Sequence, residues 1–458
     1  MKPAVSWGLA AATAFALVWV HEGTLARIEE DFAPDQARDL GGMSEVRNLI
    51  EERWVERPEE GQLLDGALRG MVATLDRYSD YISPEEKAEF EESTTGQYGG
   101  LGIYISVEDG LVHVIAPIED TPAWRAGILP GDTILEVDGV PCEFPNAGAA
   151  VRALKGLAGT TVALTVLHEG AERPERIEIE RAIVQIRSVK GARLLDPQRR
   201  IGYLRLTTFN SGTVDEFEAA LAGLLDEGLR ALIVDLRGNP GGLLDAAVEV
   251  ADAFLEEGRV IVTTRGREGD TKETRAEEEA WIRVPVALLI DRGSASASEI
   301  LAGALKDHRR ALLVGTRSFG KGSVQTILPI LGGEAELKLT TQYYFTPSGR
   351  RIHRGDKPPE DLSWGLLPDI EVTVDPATRR QLLEAQAEDD MERLKARANG
   401  TPYQREERLH RDDPQVRAAY EALLAQLGKE TPGASGGVAP VDSRRAAGGV
   451  AATDDQGR

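Results

Sequence analysis

One cysteine in 458 residues removes two chemistries at once. Cys142 has no partner for an internal disulfide, and a thiolate metal cluster cannot be built on a single sulfur, so the residue is expected to be a small buried apolar side chain. The six histidines, at 21, 113, 168, 308, 353 and 410, form no His-x-x-x-His pair, and a zinc hydrolase site lacks ligands at its usual spacing. No metal and no cofactor is expected. Basic residues are in deficit as well: 53 Lys+Arg against 76 Asp+Glu leave a net charge of −23. A field of that sign opposes binding to a polyphosphate, which excludes nucleic acid as a natural partner.

Long apolar runs are missing everywhere but at the start. Lys2 precedes an uncharged stretch from Pro3 to Val20, which His21-Glu22 ends. About 18 residues lies between the core of a signal peptide and the length that spans a bilayer. Residues 1–26 are therefore expected to be a signal peptide or a signal anchor, and either implies export, with the membrane as a partner if the segment stays uncleaved.

What is present is an ordinary globular mix, 41% apolar with 48 glycines, at a length that suggests about three domains. From 27 to 94 the pattern is helical and acidic. Leu63, Leu64, Ala67, Leu68, Met71, Val72 and Leu75 mark one apolar face, a packing or dimerising helix. From 95 to 182 glycine-rich turns alternate with β-branched runs at Leu111 to Ile115, Thr133 to Val137 and Thr161 to Leu167, which predicts a small β-rich module.

From 183 to 375 strand-like runs alternate with helical ones. Ile201 to Leu206 is strand-like, and Ala231 to Leu236, Val284 to Ile290 and Ala311 to Val314 are apolar runs too continuous for a one-sided strand. Helices are expected after Thr213, with Thr213 and Glu216 as a capping box, near Leu243 to Leu255, and from Ala297 to Leu305. Alternation of this kind implies an α/β core, a parallel or mixed sheet with helices on both faces. Two polar helices follow in 376–430, one ending at Gly400 and one starting at Asp413-Pro414, where they could bind a partner or be solvated. Residues 431–458 have almost no large apolar groups and read as a disordered tail.

In such sheets ligands collect at the carboxyl ends of the strands, where three stretches converge: Asp235 to Gly242, Gly293 to Glu299 and Gly315 to Gly322. Gly315 to Lys321 fits G-x-x-x-x-G-K, but Gly322 stands where a phosphate loop needs Ser or Thr, and Ser323 to Pro329 reads as a strand rather than a helix. Ser318-x-x-Lys321 has the spacing of penicillin-recognising enzymes without their Ser-Asp-Asn and Lys-Thr-Gly companions. What remains is a serine from the second stretch and a base from the third. A serine at a strand-to-helix turn points its hydroxyl out of the sheet toward the helix's first amides. His308 lies in a charged helix end, expected to be solvated. Lys321, flanked by glycines at the edge of a packed sheet, can be desolvated, which disfavours its ammonium form and makes it a usable base.

These stretches, with Met71 to Ser79, Tyr343 to Arg350 and Gly365 to Asp369, resemble the carboxyl-terminal processing (tail-specific) serine peptidases over roughly residues 40 to 375. The resemblance implies an endopeptidase with Ser296 as nucleophile, Lys321 as general base and Gln325 as the residue that orients the lysine. Ser294 and Ser298 are assigned structural roles. The oxyanion hole would come from the amide of Ala297 and one from Gly241 or Gly242. Lys321 and Gln325 lie about 13 Å apart on an extended strand, so their contact needs a bend that Gly320 and Gly322 permit. The run from His353 to Pro359 departs from the family pattern.

The β-rich module is similar to PDZ domains in Tyr98 to Ile105 and in Thr121 to Gly139. Free amides of Gly99, Gly100, Leu101 and Gly102 would hold a chain-terminal carboxylate while the peptide adds a strand to the sheet edge. The expected fold is thus an α/β catalytic core with an inserted PDZ domain and a helical N-terminal region. Its partners would be proteins with exposed apolar C-termini, with a homodimer or an adaptor beyond that, in the bacterial periplasm or on the extracytoplasmic face of the membrane. The competing reading is a non-catalytic PDZ scaffold on a degenerate peptidase body, which predicts loss of Ser296 or Lys321; both are present.

Overall fold

The computed structural model describes residues 34–428, apart from 60, 119, 356, 358–360, 362, 402 and 404–411. The expected leader and the expected tail from 431 onward lie outside the described residues. Among those described, no helix is long and apolar enough to cross a membrane. The chain divides into two compact units, 1–83 and 84–458.

The first unit contains α1 (Pro34–Arg53), α2 (Gln62–Ala73) and the short strand β1 (Asp80–Ile82). Tyr81 donates its phenol to Asp65 on α2, and Asp76 accepts the amides of Tyr78 and Ser79, which fixes the turn between helix and strand. Leu64 and Met71 on α2 are exposed, as are Leu40, Met43, Val46 and Leu49 on α1.

The second unit opens with α3 (Pro84–Thr95) and β2 (Gln97–Gly100). The β-rich module follows: β3 (Ile103–Glu108), β4 (Leu111–Pro117), α4 (Pro122–Arg125), β5 (Thr133–Val137), β6 (Val140–Pro141), α5 (Ala147–Leu154), β7 (Thr161–Leu167), β8 (Glu175–Glu180) and β9 (Ala182–Gln185). Its main sheet runs β3-β4-β5-β7-β8, while β2 pairs with β9 and closes the module at its root. Alternation of apolar and polar residues buries Val162, Leu164 and Val166 on one side of β7, against Val112, Val114, Ile134 and Cys142.

The α/β body contains β10 (Val189–Asp196), β11 (Ile201–Leu206), α6 (Thr213–Asp226), β12 (Ala231–Asp235), α7 (Leu244–Asp252), β13 (Val260–Gly266), β14 (Thr271–Arg275) and β15 (Val286–Ile290). It continues with α8 (Ala297–Asp307), β16 (Ala311–Gly315), β17 (Ser323–Ile330), β18 (Ala335–Phe345), β19 (Ile370–Glu371), α9 (Pro376–Ala398) and α10 (Pro414–Leu427). One sheet has the order β10-β11-β12-β15-β16-β19, parallel from β11 to β19 with β10 antiparallel at the edge. Every residue of β12 and β15 is buried, because helices cover both faces and a central parallel strand then has no polar side. A second sheet carries β17, β18, β13 and β14.

On one face of the parallel sheet Phe217, Leu221 and Leu224 of α6, Val250 of α7 and Leu301 and Leu305 of α8 pack on Leu204, Val234 and Leu288. Each such fully buried side chain contributes about 1.5–3 kcal/mol of transfer free energy. The other face, with Ile201, Tyr203, Ile233 and Leu289, is covered by Val416, Ala419 and Leu423 of α10. The C-terminal extension is therefore a structural layer, which corrects the expectation of a solvated or partner-binding helix for 414–427. Asp413 caps it by accepting the amides of Gln415 and Val416.

The capping box expected at Thr213 and Glu216 is not there. Gly212 precedes α6 without a side-chain cap, Thr213 is paired with Asn210, and the Glu216 carboxylate takes the amides of Ser188 and Val189. A long-range tie to the start of β10 has displaced the local one.

Candidate active site

Three loops meet at the carboxyl ends of β12, β15 and β16. The turn that joins β15 to α8 carries Ser296 with φ 55° and ψ −116°. A non-glycine residue in this region is strained, and here the strained residue lines a cleft. The turn is held by its neighbours. Ser294 donates its hydroxyl to Leu236 O and accepts the Asp291 amide; Ser298 donates to Asn239 O. Both serines are fully buried, as their structural roles require.

Asn239 is the second hub. Its Oδ1 accepts the Gly241 amide at 2.9 Å, its Nδ2 donates to Leu206 O, and its carbonyl accepts the Ala295 amide. The Gly241 N–H is thereby committed. Among the described residues the N–H groups of Gly242 and Ala297 have no acceptor, and both residues line the same cleft as Ser296. A Cβ on Gly241 would stand 2.7 Å from Ser296 Cβ, and one on Gly242 would stand 1.9 Å from Phe209 O, so backbone packing dictates glycine at both. The choice open in the sequence narrows to Gly242 and Ala297 as the available amides.

Lys321 lies on the loop from Ser318 to Gly322, where Gly320 takes φ +85° and packs against Trp364. Sequence reasoning missed the residue that joins this loop to the turn carrying Ser296. Glu299, on the first turn of α8 and fully buried, accepts the Ser296 amide (3.0 Å) and the Lys321 amide (2.8 Å) at Oε2, and the Gly320 amide (2.7 Å) and the Ser318 hydroxyl at Oε1. Burial pushes its carboxyl up from the ordinary range, and the hydrogen bonds from Ser318, Gly320, Lys321 and Ser296 oppose that. Tyr344 adds a second bridge, with its phenol on both Ser296 O and Lys321 O. The available signal was the S-x-x-E spacing of Ser296 and Glu299, a helix-start pattern.

Ser296, Ala297, Gly242, Lys321, Gln325 and Tyr344 line one cleft of about 300 Å³, walled by Phe90, Leu243, Leu244 and Ile300. Gln325 gives its Nε2 to Ser323 Oγ and Thr340 Oγ1. The register of β17 on β18 shifts between Val324 and Gln325, so the strand bends at that point. His308 lies outside the cleft and is half-buried rather than solvated, bonded to Val260 O at the end of α8.

In the β-rich module Gly99 and Gly100 stand in the β2–β9 ladder instead of in a free loop, because the chain pairs at the module's root before it bends. Leu101 and Gly102 form the bend. Their carbonyls turn inward to Ala123, Ile118 and Thr121, and among the described residues their N–H groups have no acceptor. Strand β3 pairs with β4 on one edge, no described strand pairs with the other, and α5 packs beside it.

A strained serine at a helix start, amides beside it with no acceptor among the described residues and a lysine loop in one cleft define a hydrolase body of the serine-peptidase class, with a β-rich module attached. Residues 200–372 match the model of peptidase family S41, 113–167 that of a PDZ domain, and 11–86 that of the N-terminal domain of the activating protease CtpB. The carboxy-terminal-processing protease of Bartonella bacilliformis is 38% identical over 400 residues, 85% of this chain and 89% of that protein. Carboxy-terminal processing protease CtpB of Bacillus subtilis is 33% identical over 333 residues, 72% of this chain and 68% of that protein. A solved photosystem II D1 C-terminal processing protease is 27% identical with a TM-score of 0.43, covering 80% of this chain and 99% of the other. The chain belongs to peptidase family S41, among the carboxy-terminal processing serine proteases that carry a PDZ domain.

Proposed function

We propose that the protein is an exported endopeptidase with a Ser/Lys dyad, which captures the C-terminal tail of a protein in its PDZ domain and cuts near that end. Ser296 attacks the scissile carbonyl, Lys321 in its neutral form takes the hydroxyl proton and returns it to the leaving amine, and Gln325 bounds the lysine's side of the cleft. The amides of Gly242 and Ala297 receive the developing oxyanion, assisted by the start of α8. The observation that carries this reading is Glu299, one carboxylate that fixes the backbones of Ser296 and Lys321 against each other at one cleft.

The tail's carboxylate would bind at the amides of Leu101 and Gly102 and its backbone along the open edge of β3, a strand-addition mode. Apolar walls at Phe90, Leu243 and Ile300 suit apolar residues around the scissile bond. Export rests on the uncharged run after Lys2, and N-terminal sequencing of the mature protein tests it.

The decisive experiment is cleavage of a tail peptide by wild type, Ser296→Ala and Lys321→Ala. Both variants should be inactive; trimming by either at the wild-type rate removes the dyad. Amidation of the peptide's terminus should raise KM, and an unchanged KM removes the carboxylate reading.

A further inference from the structure

We propose that Asp291, held from the C-terminal helix α9 by Arg379, is a positioning residue of the peptidase reaction that sets the spacing between the loop carrying Gly242 and the turn carrying Ser296 and Ala297. The inference rests on the reading that Ser296 is the nucleophile and that these two loops supply the oxyanion amides.

Asp291 follows β15 directly and is 7% exposed. Its Oδ1 accepts two amides, Gly238 at 2.9 Å and Gly293 at 2.8 Å. Gly238 opens the loop that runs to Gly242, and Gly293 opens the turn that runs to Ser296. At this point the two backbones touch, since a Cβ on Gly293 would stand 2.7 Å from Gly238 Cα. One carboxylate oxygen therefore sits at the junction of the two loops, a few residues upstream of both unpaired amides. The other oxygen, Oδ2, accepts Nη2 of Arg379 at 2.5 Å, in the first turn of α9. That bond fixes the rotation of the carboxylate, so Oδ1 stays on both amides.

Arg379 lies beyond residue 372, where the match to the peptidase model ends. Its side chain is half exposed, so the ion pair adds little to global stability. Loss of the arginine should accordingly appear in the chemistry and not in folding. With a fixed tetrahedral geometry to stabilise, slack between the two amide-bearing loops lowers kcat while leaving ground-state binding intact.

The test uses the full chain, a chromogenic tail peptide and a fluorophosphonate probe that reacts with an activated serine. Arg379→Ala should lower kcat and the labelling rate by about three- to tenfold with KM within about twofold, and Arg379→Lys should restore part of the loss. Asp291→Asn should lower kcat on its own, and Arg379→Ala added to it should cost nothing further, since the pair acts as a unit. Wild-type kcat and labelling in Arg379→Ala, or the same added loss in both Asp291 backgrounds, overturns the proposal. Labelling of Ser296→Ala equal to wild type overturns instead the nucleophile reading beneath it, so the two failures are distinct. A fall in melting temperature that accounts for the activity loss, with no change at temperatures well below it, assigns Arg379 to folding and also overturns the proposal.

Discussion

The turn that leads through Ser294 and Ser296 into α8 and the bend at Leu101 and Gly102 are both short breaks between regular elements, yet they are held in different ways. In the first, buried side chains do the holding: Ser294, Ser298, Glu299 and Asn239 are fully buried and each is bonded to the backbone of another loop. In the second the ties are carbonyls, those of Leu101 and Gly102, with one hydroxyl from Thr121. The turn of the proposed nucleophile has its direction over-determined. The bend proposed to receive a peptide leaves donors and a strand edge open.

The sharpest way to break the first arrangement is Glu299→Gln. A carboxamide presents N–H groups to donors that now converge on a carboxylate. We expect kcat to fall by about 100-fold, with about 2–4 kcal/mol of stability lost, read by tail-peptide cleavage and urea unfolding. Retained activity would show that the loops hold their register without it.

The next effect is on stability against pH. Asp235 is fully buried; burial alone would raise its pKa, but the Arg237 charge and hydrogen bonds outweigh that and hold the carboxyl below its ordinary value of 3.8. The folded state thus favours the ionised form. Its stabilisation is present above that ordinary value and is lost as the pH falls through the lower folded value. Asp235→Asn should cost about 3 kcal/mol near neutrality and flatten the acid limb of the unfolding profile. An unchanged acid slope would remove Asp235 from the account.

Glycine replacements compare the two regions directly. A Cβ at Gly242 meets Phe209 O at 1.9 Å with φ +141°, whereas one at Gly102 meets the Thr121 side chain at 2.4 Å with φ +76°. Gly242→Ala should cost about 2 kcal/mol or more and abolish cleavage, and Gly102→Ala about 1–2 kcal/mol, raising KM more than it lowers kcat. The reverse order would mean that the PDZ bend is the more rigid of the two. The smallest effect is expected at Lys155, which pairs with Glu92 and lies 4.6 Å from the Tyr98 ring centroid. Both partners are about one-third exposed or less, so Lys155→Ala should cost about 0.5–1 kcal/mol by the same unfolding assay.

Much of this was legible in the residues. The strands at Ile201, Ala231, Val286 and Ala311 announce themselves as apolar runs, and the glycines of the 235–242 stretch mark where backbone must approach backbone. What escaped were ties between segments far apart in the chain. Glu216 looked like a cap because its local spacing fits one, but Ser188 and Val189 offered amides that no reading of one helix could foresee. Glu299 looked like part of a helix start, and nothing nearby reveals that Lys321 and Gly320 complete its shell. Helix α10 looked polar because Gln415, Arg417, Glu421 and Gln426 interrupt the face that Val416, Ala419 and Leu423 bury and that Tyr420, Leu424 and Leu427 extend.

That helix has a consequence for biosynthesis. Until residues 414–427 have left the ribosome, the sheet beneath Ser296 shows Ile201, Ile233 and Leu289 on an uncovered side. A chain that lacks 414–427 therefore lacks one of the two layers on the sheet, and the body that carries Ser296 should stay incomplete without it.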